Sequence, residues 1–120
     1  MATGIQNEII IEIDVTADAT GTNGPTFTLP RAGTIMSAWT LCTATNAGGL
    51  LQVERQALGS GVFSAATSAM TCDTANALAR PTVIFVSQSS CAATDVFRIV
   101  ANGAADRGRV YIQFLAPVVP

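Results

Sequence analysis

Apolar and polar residues alternate along much of the chain, and helical spacing is scarce. In residues 8–15, EIIIEIDV, every odd position is apolar, whereas Glu8, Glu12 and Asp14 occupy even positions. A period of two places successive side chains on opposite faces, so this stretch predicts a β-strand with one face on a core and the other in water. Residues 50–55, LLQVER, and 109–116, RVYIQFLA, show the same alternation and predict two further strands.

Two more apolar stretches also predict strands. In residues 34–43, TIMSAWTLCT, the odd positions from Ile35 to Leu41 form one face and the even positions from Met36 to Cys42 form the other. Neither face carries a charge, so both are expected to be covered. Residues 82–88, TVIFVSQ, are rich in β-branched side chains and predict a buried strand.

The segments between these stretches are rich in Gly, Pro, Asn and Asp, the residues that turns require. About eight strands at spacings of roughly 8 to 15 residues are typical of a sandwich or barrel. We therefore predict an all-β fold, an antiparallel β-sandwich of about eight strands. Jelly-roll, immunoglobulin-like and β-tulip arrangements stay open, although eight strands favour a jelly-roll-like one.

The 120 residues are expected to form one domain. Residues 1–7 predict a short N-terminal arm and residues 116–120 a C-terminal tail. The last two strands are expected to be neighbours in a hairpin, joined by ANGAADRG, residues 101–108, where Asn102 begins a turn signal. Asp106 beside Arg107 would hold that loop by an exposed ion pair, worth about 0–1 kcal/mol.

Charge is sparse, and this feature bears most on function. Charged residues make up 12% of the chain, against about 25% in ordinary domains. A surface of this kind suits burial against other protein subunits. The net charge of −2, with six scattered arginines and no lysine, argues against nucleic acid as a partner. No apolar run reaches the roughly 20 residues of a membrane span, and the N-terminus lacks a signal-peptide pattern, so we expect no membrane contact and folding in a cytoplasm.

Catalytic chemistry is poorly supported. The chain has no histidine, the commonest general base near neutral pH and a common metal ligand. Cys42, Cys72 and Cys91 are too far apart for a zinc site, and we predict three thiols, although one bridge between two of them stays open. No nucleophile, base and orienting group can be assembled. We therefore predict no enzyme activity, no catalytic residue, no metal and no cofactor.

The candidate functional residues are those suited to a protein interface. Arg98, Arg107 and Arg109 are expected to cluster in the last hairpin, with Arg55 near them, because arginine makes forked bonds to carboxylates and carbonyls. Ile9 and Ile11 belong to a strand that could pair with an exposed strand edge of another subunit. Solvated strand ends remain the plain alternative for the arginines.

Trp39 and Tyr111 lie on alternating apolar runs, which favours core or interface packing over a sugar-binding platform.

Two stretches, TNAGGLLQVERQ at residues 45–56 and VANGAADRGRVYIQFL at residues 100–115, resemble small structural proteins of tailed bacteriophages. The family most similar in kind is the capsid decoration, or cement, proteins, many of which are compact β-sandwiches. The resemblance implies a structural virion protein on the capsid exterior, folded in the host cytoplasm. It would stabilise the capsid by binding across major capsid protein subunits, as a homotrimer. It implies no catalytic residue.

Other functions remain open at this point. The first alternative is a phage tail or fibre-tip domain, or another virion domain that binds a receptor or a glycan. A small enzyme acting on glycans and a sugar-binding domain of non-viral origin are less well supported by the residues present.

Overall fold

The computed structural model describes residues 6–15, 26–57, 59–102 and 107–117. The described part contains strands and one helical turn: β1 Gln6–Val15, β2 Thr26–Thr28, β3 Gly33–Cys42, β4 Leu50–Gln56, β5 Phe63–Ala65, β6 Met70–Thr71, β7 Leu78–Ala79, α1 Val86–Ser89, β8 Ser90–Cys91, β9 Val96–Ala101 and β10 Gly108–Pro117. No helix in these ranges is long and apolar enough to cross a membrane.

The strands form two antiparallel sheets. The first has the order β1-β10-β3-β7, with β8 also paired to β3, and the second has the order β2-β9-β4-β5, with β6 also paired to β4. Because β5 and β6 share one partner, they are two pieces of one edge strand, and the same holds for β7 and β8. Counted in that way, eight strands form sheets in the order 1-8-3-6 and 2-7-4-5, the arrangement of a jelly roll. The predicted all-β antiparallel sandwich is confirmed.

The core lies between the two sheets. The ring of Phe97 on β9 meets that of Phe114 on β10 edge-on, with centroids 5.5 Å apart, so these strands face each other. Further across the sandwich, the Thr40 hydroxyl of β3 bonds the Met70 sulfur of β6 at 3.3 Å. The β4 side of the second sheet therefore lies opposite β3, and β2 lies opposite β1.

Alternation in β1, β4 and β10 is as predicted. The buried side chains of these strands come from every second position and are Ile13, Val15, Leu51, Val53, Val110, Ile112, Phe114 and Ala116. Their intervening neighbours point to solvent, because the pleat turns successive side chains to opposite faces.

A β-bulge changes the faces of β3. Gln113 of β10 pairs with Ser37, but the next pair is Phe114 with Ile35, which leaves Met36 as an extra residue. One extra residue reverses the alternation, so Ile35 faces the core together with the later even-numbered residues of the strand. The predicted face for Ile35 is therefore wrong. Within the chain only one face is covered, since Met36 on the other face is 50% exposed, and cover of that face by another subunit stays a prediction.

Residues 82–88 do not form the predicted buried strand. They leave the first sheet between β7 and β8, make one bridge between Thr67 and Ile84, and end in the single turn of α1. Ile84 packs against the core, whereas Phe85 and Val86 are exposed. The prediction failed because β-propensity measures how well a side chain suits a pleated, half-buried surface and does not fix a position in a sheet.

The last two strands are not neighbours. β9 belongs to the second sheet and β10 to the first, so the chain crosses between sheets after Ala101 and the expected hairpin is wrong. A turn signal specifies a local bend and carries no information on which sheet receives the next strand. Asp106, the expected partner of Arg107, lies outside the described residues.

The first and last described residues pair with each other in the first sheet. Gln6 and Asn7, assigned to the arm from sequence, pair in β1 with Pro117 and Ala116 of the assigned tail. The remainder of the predicted arm and tail lies outside the described residues.

Candidate protein interface

The solvent side of the first sheet carries a connected set of polar and aromatic side chains. We call it the outer face, and it is formed by Glu8, Ile10, Glu12, Asp14, Met36, Ser37, Trp39, Leu41, Leu78, Arg80, Arg109, Tyr111, Gln113 and Leu115. These residues lie on β1, β10, β3 and β7, and Arg80 follows the end of β7. The sequence predicted the strands separately. The register of strand pairing shows which of their side chains are neighbours.

One row of the outer face runs across the sheet through both single-copy aromatic residues. Glu12 pairs with Tyr111, and Tyr111 pairs with Trp39. The Tyr111 hydroxyl donates to the Glu12 carboxylate at 2.8 Å, and the two rings stack with centroids 5.5 Å apart at an interplanar angle of 13°. The Arg80 guanidinium lies 5.4 Å from the centre of the Trp39 ring. Since β3 lies between β10 and β7, Tyr111 and Arg80 approach Trp39 from opposite sides.

Carboxylates of β1 raise the pKa values of two side chains on β10. The bond from Tyr111 to Glu12 raises the pKa of Tyr111, because the carboxylate stabilises the protonated phenol, and partial desolvation adds to the effect. The neighbouring Asp14 carboxylate raises the pKa of Arg109. Near neutral pH the tyrosine is therefore uncharged and the arginine is charged.

The carboxylates of β1 all reach towards β10. Asp14 accepts a hydrogen bond from Arg109 Nε at 3.2 Å, and Glu8 accepts one from the Gln113 amide. The side chains of Glu12 and Asp14 nevertheless remain 51% and 65% exposed. Three carboxylates and one guanidinium give this strip of β1 and β10 a net charge of −2.

The inward side of β1 is incompletely covered. Ile13 and Val15 are buried, at 7% and 3% exposure, whereas Ile9 and Ile11 are only half-buried. β1 has ten residues and β2, which lies opposite, has three. At about 3.3 Å per residue, β2 spans roughly a third of the length of β1. Of the candidate interface residues named from sequence, Ile9 and Ile11 therefore lie where apolar surface is left uncovered.

Arg55 lies inside the protein. Its Nε and Nη2 donate to Asp95 Oδ2 at 2.9 and 2.7 Å, and its Nη1 donates to Gln88 at 3.3 Å. The two charged side chains are 11% and 2% exposed, so this guanidinium serves the fold. The sequence did not predict this ion pair, although it contained a signal. Arg55 lies on the same inward side of β4 as Leu51 and Val53, where a charged side chain needs an acidic partner.

The other three arginines do not come together. Arg98 lies on β9 of the second sheet, where Nε bonds Glu54 at 2.7 Å and the guanidinium covers Phe63 at 3.8 Å. Arg109 belongs to the outer face of the first sheet, and Arg107 is exposed just before β10. The expected cluster with Arg55 is absent because β9 and β10 belong to different sheets.

A second apolar surface lies on the segment between β7 and β8. Val83, Phe85 and Val86 are exposed there, and Val86 is 86% exposed. The segment is held by backbone hydrogen bonds from Phe85 N to Ala66 and from Ser68 N to Val83. Apolar groups therefore face solvent both on the outer face and on this segment.

The cysteines are buried as thiols, as predicted. The thiols of Cys42 and Cys72 both reach the carbonyl of Arg107, at 3.7 and 3.1 Å. Burial raises the pKa of Cys91 to about 11, an effect that Arg55 reduces and Asp95 reinforces. Within the described residues, no three Cys, Asp or Glu side chains are grouped to hold a metal ion.

Two solved structures to which the chain shows a weak similarity come from viruses. A chain of the cyanophage Pam1 capsid asymmetric unit has 20% sequence identity over 96% of this chain and 87% of that chain, with a TM-score of 0.45. A chain from the structure of infectious bursal disease virus, Gx strain, has 14% identity over 93% of this chain and 37% of that chain, with a TM-score of 0.37. No family model and no curated protein match the sequence. Likenesses this weak do not carry a function to this chain.

Proposed function

We propose that this chain is a structural protein of a virion that decorates and stabilises a phage capsid. It would bind across major capsid protein subunits on the capsid exterior, as a homotrimer. Repeated contacts at local symmetry positions gain avidity, because several weak sites engage together. A protein bound across a seam adds buried surface there and opposes separation of the subunits.

The observation that carries this proposal is the chemistry of the exterior. Eight large apolar side chains are exposed in the described part of the chain: Ile10, Met36, Leu50, Val62, Leu78, Val83, Phe85 and Val86. Charged residues are 12% of the sequence, so little charge is present to keep such a surface in water. Contiguous exposed apolar surface marks contact with other proteins. Val83, Phe85 and Val86 are exposed together in one short segment.

Sedimentation velocity over a wide concentration range tests the assembly part of the proposal. We expect a trimer that forms reversibly, together with the chain's presence in purified particles from its source. Val86→Ser should weaken the trimer if this segment takes part in assembly. Its replacement should leave the fold intact, because the side chain is 86% exposed. A monomer at every concentration that is absent from particles would contradict the proposal.

A receptor- or glycan-binding virion domain is the second candidate. One observation favours it, because Trp39 and Tyr111 lie together on the outer face and not in the core. Sugars stack on an open ring face, however, and the two sides of Trp39 are taken by Tyr111 and Arg80. Glycan-array binding that Trp39→Ala abolishes, or density of the labelled chain at a tail, would favour this candidate over capsid decoration.

A further inference from the structure

We propose that the edge of β1 that faces away from β10 docks an extended segment of another protein, in which apolar and basic side chains alternate. The inference deepens the proposed function and rests on it only for the identity of the protein that carries the segment. The edge itself, its two faces and its charge decide the chemistry of the segment.

The backbone of β1 forms one edge of the first sheet in the described ranges. Within the described ranges, this strand pairs with β10 on one side and with no strand on the other. Its ten residues run for about 33 Å. An edge strand presents a row of backbone N–H and C=O groups that another extended chain can pair with.

The inward side of β1 is apolar and partly open to solvent. Ile9 and Ile11 point towards the core but are only half-buried, because β2 covers a short part of the opposite sheet. A strand added to β1 would place every second side chain beside these isoleucines. Apolar side chains at those positions would complete the burial that β2 leaves unfinished.

The outward side of β1 is acidic. The intervening side chains of an added strand would lie beside Glu8, Glu12 and Asp14, about 4.5–5.5 Å away between Cβ atoms. Arg109 is the one guanidinium bonded to these carboxylates in the described residues. The strip therefore carries a net charge of −2, and lysine or arginine at the outward positions would balance it.

A second copy of β1 fits this edge poorly. An antiparallel pairing centred on Ile11 sets Glu8 beside Asp14 of the second copy, and one centred on Ile10 sets Glu8 beside Glu12 of the second copy. Like charges directly opposite each other on a sheet are destabilising, and edge charges are a common protection against self-pairing. The same carboxylates that resist a second copy attract a basic strand.

Short synthetic peptides test the proposal directly. The probe is a peptide of alternating valine and lysine, and the controls are alternating valine and glutamate and a peptide with the probe's composition in two blocks. In isotope-labelled protein, the probe should shift β1 amide resonances, slow their hydrogen exchange and bind more weakly as salt rises. Equal binding of either control, or perturbation away from β1, would overturn the proposal.

A charge variant gives a second readout. Combined Glu8→Gln, Glu12→Gln and Asp14→Asn should weaken probe binding by about two- to fivefold for each carboxylate removed. Asp73→Asn, the same charge change on the loop after β6, should have no effect. Unchanged binding in the triple variant would refute the inference.

Failure here can be told apart from failure of the proposed function. If the probe does not bind β1 but the chain still occupies capsids, the docking edge is wrong and decoration stands. If the probe binds but the chain is absent from every particle, decoration is wrong and the edge preference stands. Hydrogen-exchange protection of β1 that grows with protein concentration would show that β1 pairs with a second copy of the chain. That result would overturn the proposal.

Discussion

Replacing Asp95 with alanine is expected to be among the most damaging single changes in the protein. Asp95 Oδ2 accepts hydrogen bonds from two nitrogens of Arg55, at 2.9 and 2.7 Å, and from the backbone N of Ala92 at 2.9 Å. These bonds join β4 to the turn that precedes β9. The Asp95 side chain is 2% exposed and that of Arg55 is 11% exposed, so water cannot replace the lost carboxylate.

The expected loss follows from that burial. Removing one partner of a buried ion pair costs about 3–5 kcal/mol, because the remaining charge stays desolvated and unpaired. Glu54, which precedes Arg55 on β4, provides the matched control. Its ion pair with Arg98 lies on the outward side of the second sheet, where the two side chains are 20% and 18% exposed, so Glu54→Ala should cost less than Asp95→Ala because water can reach the remaining charge.

Urea unfolding followed by the fluorescence of the single tryptophan measures both changes. The double variant Arg55→Met with Asp95→Ala should be more stable than Asp95→Ala alone, because it leaves no buried charge. A loss of unfolding free energy in Asp95→Ala no larger than in Glu54→Ala, or no recovery of stability when Arg55 is replaced as well, would refute the role of a buried ion pair.

Three further predictions use single sites. The absorbance titration of Tyr111, the single tyrosine, should move to lower pH in Glu12→Gln, because the carboxylate raises the pKa of Tyr111. Glu8→Gln should leave the curve in place, and identical curves for wild type and Glu12→Gln would contradict the assignment. Gly108→Ala should destabilise the protein by about 1–3 kcal/mol in thermal unfolding, since an added Cβ would lie 3.0 Å from a β3 carbonyl and 3.3 Å from a buried thiol; an unchanged melting temperature would show that the site has room. The pKa of Cys91 is about 11 when folded, against 9.0 ordinarily, so the unfolded chain loses this proton first and stability falls as pH rises through that interval. Cys91→Ala should lose less stability than wild type there, and equal pH slopes would contradict the burial argument.

The period-two pattern predicted the fold class because burial on one face of a strand leaves a direct trace in sequence. Residues 8–15, 50–55 and 109–116 became β1, β4 and β10 with the predicted inward sides. Strand position was not predictable in the same way. Residues 82–88 have strand composition, yet they leave the sheet, because pairing partners are set by the whole topology and not by local propensity.

The candidate interface was harder to predict than the fold. Arginines close in sequence, such as Arg98 and Arg109, ended on different sheets, and Trp39 met Tyr111 only through a pairing of distant strands. The bulge at Met36 shifts the pairing of β3 with β10 by one residue, and no glycine or proline in the strand interior indicates it. What sequence could indicate was the sparse charge and the acidic, apolar alternation of β1, and these two features carry both proposals.

Electron microscopy of particles from the chain's source, with the chain labelled, tests the central claim most directly. We expect density in a regular array on the capsid exterior, across the seams between shell subunits, with the apolar side chains of the outer face or of residues 82–86 in contact with neighbours. Particles without the label, together with a protein that stays monomeric in solution, would contradict it.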